Sequence, residues 1–209
     1  TSDNVPSAAI IKNSTDDDVT ANYDITYTNG TLEVTKKTLT ITADAKSKAY
    51  GEADPTLTYT LEGLFNGDAI TGTLTRVAGE NVGTYAITQG GLTAGNNYEI
   101  SFIGANLTIT KVGLKIMAKN HSITYGDAPT GNGVIYKSFV NSDTETVLGG
   151  SLDYDFSYEQ YGDVGNYTIT PKGLTSDNYE ITFVKGILTV NAKEVGLTWS
   201  ETTSFSYDG

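Results

Sequence analysis

Apolar side chains recur at every second position of this chain in short runs, and the same runs come back. Leu39, Ile41 and Ala43 alternate with Thr40 and Thr42; Leu114, Ile116 and Ala118 repeat the series, and Leu197 and Trp199 begin it again. Tyr85 and Ile87 correspond to Tyr167 and Ile169. Tyr98, Ile100 and Phe102 correspond to Tyr179, Ile181 and Phe183, then Leu107 and Ile109 to Leu188 and Val190. Period two is the strand signature, and threonine at the alternate positions suits the wet face of a sheet. The pattern predicts mostly-β modules of antiparallel strands with one face buried. Asn29-Gly30, between the runs Tyr23 to Tyr27 and Leu32 to Val34, reads as a tight hairpin turn. After the second strand each complete module has a patch without alternation, residues 63–70 and 138–148. One short helix is expected there, and in the second module Phe139, Val140, Val147 and Leu148 would form its buried face.

The repetition extends to phrases. Asn97-Tyr98-Glu99-Ile100 recurs as Asn178-Tyr179-Glu180-Ile181, and Asn22-Tyr23-Asp24-Ile25 precedes both, so tyrosines 23, 98 and 179 stand in steps of 75 and 81 residues. Tyr50-Gly51 returns as Tyr125-Gly126 and, with one insertion, as Tyr207-Asp208-Gly209; Val82-Gly83-Thr84-Tyr85 returns as Val164-Gly165-Asn166-Tyr167. A fixed period means an array of like modules. Residues 1–36 read as the closing part of one repeat, 37–111 and 112–193 as complete repeats, the latter with a longer insert, and 194–209 as the first strand of another. No flexible spacer lies between them: Leu107 to Lys111 runs straight into Val112 to Ile116, which predicts a semi-rigid rod rather than a string. The orphan first strand of one molecule could also add to the partial module of another, giving short filaments.

Composition narrows the partners. Asp plus Glu is 25 against 13 Lys plus Arg, a net charge of −12. Such a surface repels phosphate backbones and anionic headgroups, so neither nucleic acid nor a membrane surface is expected as a partner. No apolar run approaches the roughly 20 residues that span a bilayer. With no cysteine, thiol nucleophiles, thiolate metal sites and disulfides are out.

The order Leu39-Thr40-Ile41-Thr42-Ala43-Asp44, Lys48-Ala49-Tyr50-Gly51-Glu52-Ala53-Asp54-Pro55, Asn81-Val82-Gly83-Thr84-Tyr85, Gly91-Leu92, Asn96 to Ile100 and Leu107 to Lys111 resembles the MBG domain of the YGX type. The ending Ser204-Phe205-Ser206-Tyr207-Asp208-Gly209 looks like the opening of the sister YDG type. Residues 112–193 depart from the pattern in a shortened turn, Tyr125 to Pro129, and an enlarged insert. The resemblance implies a bacterial protein, secreted or attached to the cell wall and adhesin-like, and it brings no catalytic residues and no agreed ligand. A mostly antiparallel sheet crossed by one short helix is similar to a β-grasp, and the helical insert favours that module. An immunoglobulin-like sandwich is the alternative, because Val82 to Tyr85 resembles the Gly-x-Tyr that opens a late strand there and allows a tyrosine corner.

Candidate chemistry is sparse. His121 stands alone in a turn region, with no nucleophile elbow around any serine. Asp16-Asp17-Asp18 and Asp153-Tyr154-Asp155 cluster oxygens without the spacing of a calcium loop. Tyr23, Tyr85, Tyr98, Tyr167 and Tyr179 are expected inward; Tyr50, Tyr125 and Tyr207 are expected to brace turns. Tyr136, Tyr154, Tyr158 and Tyr161 remain for a surface patch, although cross-strand packing suits them better. Lys36, Lys111 and Lys193 end equivalent strands, and with Asn97 or Asn178 and the nearby Glu99 or Glu180 they are candidates for an isopeptide crosslink. The reading is a non-catalytic structural and adhesive stalk with no catalytic, cofactor or metal residues, whose partners are its neighbouring repeats. The alternatives are a module binding host or microbial glycan or mucin, and spacer repeats of an extracellular polysaccharide-degrading enzyme.

Overall fold

The computed structural model describes residues 1–199 and 206–209. Two short strands, β1 (Ser2–Asn4) and β2 (Gly30–Leu32), come first. The next repeat supplies β3 (Lys37–Ala43), β4 (Lys46–Ala49), β5 (Tyr59–Glu62), β6 (Thr75–Arg76), β7 (Gly83–Thr88), β8 (Tyr98–Ile103) and β9 (Ala105–Thr110). The one after it supplies β10 (Val112–Ala118), β11 (His121–Thr124), β12 (Val134–Lys137), β13 (Gly149–Phe156), β14 (Gly165–Thr175), β15 (Tyr179–Val184) and β16 (Gly186–Asn191). Both repeats follow one plan: sheet orders β5-β3-β8 and β4-β9-β7-β6 in the first, β12-β10-β15 and β11-β16-β14-β13 in the second.

The architecture is mostly β, and its sheets are mixed rather than purely antiparallel. In the second repeat β10 pairs antiparallel with β12, bringing Ile116 opposite Tyr136, but parallel with β15, where Leu114 meets Ile181 and Ile116 meets Phe183. The first strand then crosses to the other sheet through Lys119 and Asn120, and β11 runs parallel to β16, with Ile123 opposite Val190. The last strand makes the same crossing at Lys185. A side chain at Gly186 would start 2.8 Å from the Ala118 carbonyl oxygen, so the two strands can pass this closely only with glycine there. First and last strands lying side by side and parallel is a β-grasp arrangement. The α-helix of a β-grasp is absent among the described residues.

Helical structure is less than the sequence suggested. Residues 63–70 form turns, and the second insert contains a single 3-10 turn, Glu145–Val147. Ser138, Asn141 and Ser142 have φ of 82°, 53° and 61°, which a continuous right-handed helix does not accommodate. Phe139, Val140 and Leu148 are half-buried as expected, but Val147 is exposed.

The flanking segments also differ from expectation. Gly30–Leu32 pairs with Ser2–Asn4 and not with residues 23–27, which form no strand, and Tyr23, Tyr27, Leu32 and Val34 are exposed. An alternating run holds a strand only where a sheet covers its apolar face. Val195, Leu197 and Trp199 are likewise exposed and outside any strand. Ser204 and Phe205 of the YDG-like ending lie outside the described residues.

The chain forms two compact units. One comprises Thr1–Asp44, Leu57–Arg76 and Ile87–Ala105; the other comprises Ala45–Thr56, Val77–Ala86 and Asn106–Gly209. The second unit therefore joins three separate pieces of one repeat to the whole of the next. One of its cores is Ala118, Ile123, Tyr158, Ile169, Leu188 and Val190, with Tyr154, Phe156 and Tyr167 packed against it. The other crosses the repeat boundary. No helix among the described residues is long and apolar enough to cross a membrane.

Candidate functional site: the junction between repeats

Within the second unit, Tyr50 and Ile109 of the first repeat share a buried cluster with Leu114, Ile116 and Tyr179 of the second. Val82 and Tyr85 of the first repeat pack on it, as do Phe139, Val140 and Leu148 of the second. Lys111 is the single residue between β9 and β10. The apolar face of the second repeat's front sheet, set by the alternation of Leu114 and Ile116, is thus covered partly by the repeat before it. Each such aliphatic side chain contributes roughly 1.5–3 kcal/mol when fully buried.

Polar groups fix the register of this contact. The Tyr179 hydroxyl donates to Asp143 Oδ2 at 2.7 Å and accepts from the Val140 amide at 3.1 Å. Tyr50, from the preceding repeat, donates to the same carboxylate oxygen at 3.0 Å, and its ring meets Tyr179 edge-on at 5.5 Å. Asn178 Oδ1 accepts from the Val82 amide at 2.9 Å, while its Nδ2 donates to Asn81 Oδ1 at 3.0 Å. The Lys111 ammonium donates to the Ser176 carbonyl at 2.8 Å. The Tyr-Gly, Asn-Val-Gly and Asn-Tyr phrases that repeat along the sequence therefore meet at one place.

Tyr85 and Tyr167 are tyrosine corners: their hydroxyls donate to the carbonyls of Asn81 and Asp163, four residues upstream, at 2.8 and 2.7 Å. Tyr98 and Tyr179 are buried as expected; Tyr23 is not. Of the tyrosines held for a surface patch, Tyr158 lies within the core, Tyr154 packs against it, Tyr136 packs on the junction cluster, and Tyr161 alone is well exposed. Packing uses up the aromatic faces of Tyr154 and Tyr158.

The acidic clusters are spent locally. Asp17 accepts from Thr15 and Asn13, Asp18 from the Thr20 amide, and Asp16 pairs with Lys12 at 3.0 Å. Asp153 and Asp155 flank Lys172 across the β13–β14 pair, Asp153 at 3.5 Å. Among the described residues no group of three or more His, Asp or Glu is placed to hold a metal ion. His121 sits on strand β11 rather than in a turn, near Thr130 Oγ1 at 3.3 Å. It lines a polar cleft of about 530 Å³ with Asn120, Ser122, Asn132, Asn166 and Thr189. Two of the crosslink candidates are drawn into other bonds, Lys111 with Ser176 and Asn178 with Asn81 and Val82.

Sequence reasoning missed one buried cation. Lys48 is only 7% exposed, and its ammonium lies 2.7 Å from Asp54 and 2.6 Å from Glu80. Those two hydrogen-bonded carboxylates, Asp54 first, raise its pKa. The available signal was its place in the alternation, equivalent to Ile123.

The order of motifs, now seen to be an order of structural contacts, agrees with the family comparison. The model of the MBG domain (YGX type) matches residues 39–108 and again residues 114–189. The chain belongs to the MBG domain (YGX type) family. No curated protein matches it. In this MBG pair the Tyr-Gly phrase is a latch, with Tyr50-Gly51 of one domain seated against Val140, Asp143 and Tyr179 of the next.

The latch predicts a pH response. Burial, reinforced by the Asp143 carboxylate, pushes the Tyr179 hydroxyl up to about 12 from the ordinary 10.0. The folded state holds this proton more tightly than the unfolded chain. The stabilisation is therefore complete below about pH 10 and is lost as pH rises toward 12, on the order of 2 kcal/mol. Lys48, also raised, works in the same direction. Melting temperature should be flat from pH 8 to 9.5 and fall steeply above 10, and the fall should be shallower in Tyr179→Phe. An unchanged profile in that variant would remove Tyr179 as the cause.

Proposed function

We propose that this chain is a non-catalytic structural segment of an extracellular or cell-surface protein, a stalk whose principal partners are its own neighbouring repeats. The observation that carries the reading is the junction: consecutive domains share an apolar core and a tyrosine–carboxylate latch where a flexible array would have a spacer. Such a joint transmits force and orientation from one domain to the next, and the negative surface keeps the array solvated and apart from other polyanions. Membership of the MBG family supports the surface setting. Limited trypsin digestion tests it. Cleavage after Lys111 should be at least about tenfold slower than after Lys12, which lies in the exposed segment before the repeats. Equal rates would mean a hinged linker and end the stalk reading.

A second reading, glycan or mucin recognition, is favoured by the polar cleft around His121, Asn132 and Asn166. A glycan array including mucin, probed with the folded full chain, should be blank for a stalk. Binding that disappears in Asn166→Ala would move the assignment to this cleft.

A further inference from the structure

The polar cleft around His121 is built from groups that the fold does not require. Asn120 Oδ1 accepts from the Ile187 amide at 2.9 Å, and Asn166 Oδ1 accepts from the Thr189 hydroxyl at 2.9 Å. Both side chains are thus held by their oxygens, and their NH2 ends have no partner among the described residues. Asn132 and Ser122 add further polar groups, Ile187 adds an apolar one that is 47% exposed, and no described carboxylate lines the cleft. A Cβ at Gly133, next to Asn132, would lie 3.8 Å from the Lys119 ammonium, so this cation stands at the rim. Lys119 pairs with no carboxylate among the described residues. In a chain with 25 acidic residues, that is a local reversal of sign. The counterparts of Asn120 and Asn166 in the first repeat are Ala45 and Thr84, where the same strand plan forms without these amides. By the pattern of the internal junction, an adjoining repeat leaves the cleft open. Lys46, Ser47, Thr84 and Thr108, the counterparts of His121, Ser122, Asn166 and Thr189, take no part in the hydrogen bonds or the apolar cluster of that junction.

We infer that this cleft binds an acidic saccharide, a pyranose carrying a carboxylate or a sulfate group. Unpaired N–H donors beside an unpaired ammonium suit a ligand that is rich in acceptors and negatively charged. At about 530 Å³ the cleft has room for a sugar ring, which is far larger than an inorganic anion. The C–H face of the ring lies on Ile187, its hydroxyl oxygens take the NH2 groups of Asn120 and Asn166, and its anionic group meets Lys119. Charges elsewhere on the chain are screened beyond about 8 Å at physiological salt, so the net −12 does not decide binding here. The inference deepens the glycan-recognition reading of this cleft and rests on it.

Titration of the full isotope-labelled chain, followed by NMR of its backbone and Asn side-chain amides at about 0.15 M ionic strength, tests this. The probes are sodium glucuronate, glucose 6-sulfate, glucose and sodium sulfate. At least one acidic sugar is expected to shift the resonances of residues 120–122, 166 and 187–189, and to bind at least about tenfold more tightly than glucose. Which of the two does so identifies the anionic group. Lys119→Gln should bring that sugar down to the level of glucose. Asn166→Thr installs the residue of the first repeat, which keeps the fold, and should weaken binding about fivefold. Glucose bound as tightly as the acidic sugars, or binding indifferent to Lys119→Gln, would overturn the inference and leave glycan recognition standing. Sodium sulfate acting as strongly as glucose 6-sulfate would overturn it too, since the ring then contributes nothing. Shifts confined to other surfaces, or no shift with any probe, would remove both the inference and the glycan reading of the cleft.

Discussion

Lysine in place of Ile123 will destabilise the fold by about 3–5 kcal/mol, although lysine is at home at the equivalent position of the preceding repeat. Lys48 and Ile123 both sit on the inward face of the short strand that runs parallel to the end of the last strand, Lys48 opposite Ile109 and Ile123 opposite Val190. Lys48 is tolerated because Asp54 and Glu80 reach it. The second repeat has a shorter turn after Tyr125-Gly126, which drops the equivalent of Asp54, and Gly162 stands where Glu80 does. An ammonium at 123 would meet Tyr158, Ile169 and Val190 and no carboxylate of that pair. The reverse change, Lys48→Ile, leaves behind two carboxylates that already face solvent, so its cost should stay within about 1 kcal/mol or turn favourable. Urea unfolding of both variants, followed by circular dichroism, measures the difference. Similar losses in the two would show that the carboxylates are not what makes Lys48 acceptable.

This pair marks where the sequence is legible and where it is not. Alternation identified the inward positions Leu39, Ile41, Leu114, Ile116, Tyr98 and Tyr179, because period two follows from the pleat alone. The pattern also placed Lys48 in line with Ile123, yet a lysine in a strand reads as solvent-facing until its carboxylates are located in space. Those carboxylates lie 6 and 32 residues away, in loops whose course no local pattern specifies. The parallel pairing of first and last strands was hidden for the same reason. Alternation tells which face a residue takes, and it says nothing about which strand lies alongside.

The junction was half legible. Its phrases were found as repeats, and the short connection at Lys111 pointed to a stiff joint. Their meeting was not visible, because Tyr50 and Asp143 are 93 residues apart and Val82 and Asn178 are 96 apart. Tyr50 read as a brace for its own turn, which is the bland role of a tyrosine beside a glycine. Residues 23–34 err in the opposite direction. They carry the right pattern, yet Tyr23, Tyr27, Leu32 and Val34 remain exposed, because one two-stranded pairing does not cover an apolar face.

Alanine at Gly51 should cost about 2–4 kcal/mol and alanine at Gly126 only about 1, although the two glycines hold the same place in the same phrase. Both have positive φ, 87° and 96°, so a Cβ strains the backbone of each by about the same amount, on the order of 1 kcal/mol. Their surroundings differ. A Cβ at Gly51 would lie 2.6 Å from Val140 Cγ2 and 2.8 Å from its Cβ, on a β-branched side chain with little freedom to withdraw. At Gly126 the nearest atom is a Tyr161 ring carbon at 3.8 Å, an ordinary contact. The excess cost of Gly51→Ala is therefore the overpacking of the junction. It should shrink when Val140→Ala is added, so that a double-mutant cycle returns a coupling of about 1–2 kcal/mol. Equal costs at the two glycines, or no coupling to Val140, would mean that the Tyr-Gly phrase serves its own turn and does not hold the neighbouring repeat. An excess confined to Gly51 would make that phrase an inter-domain contact.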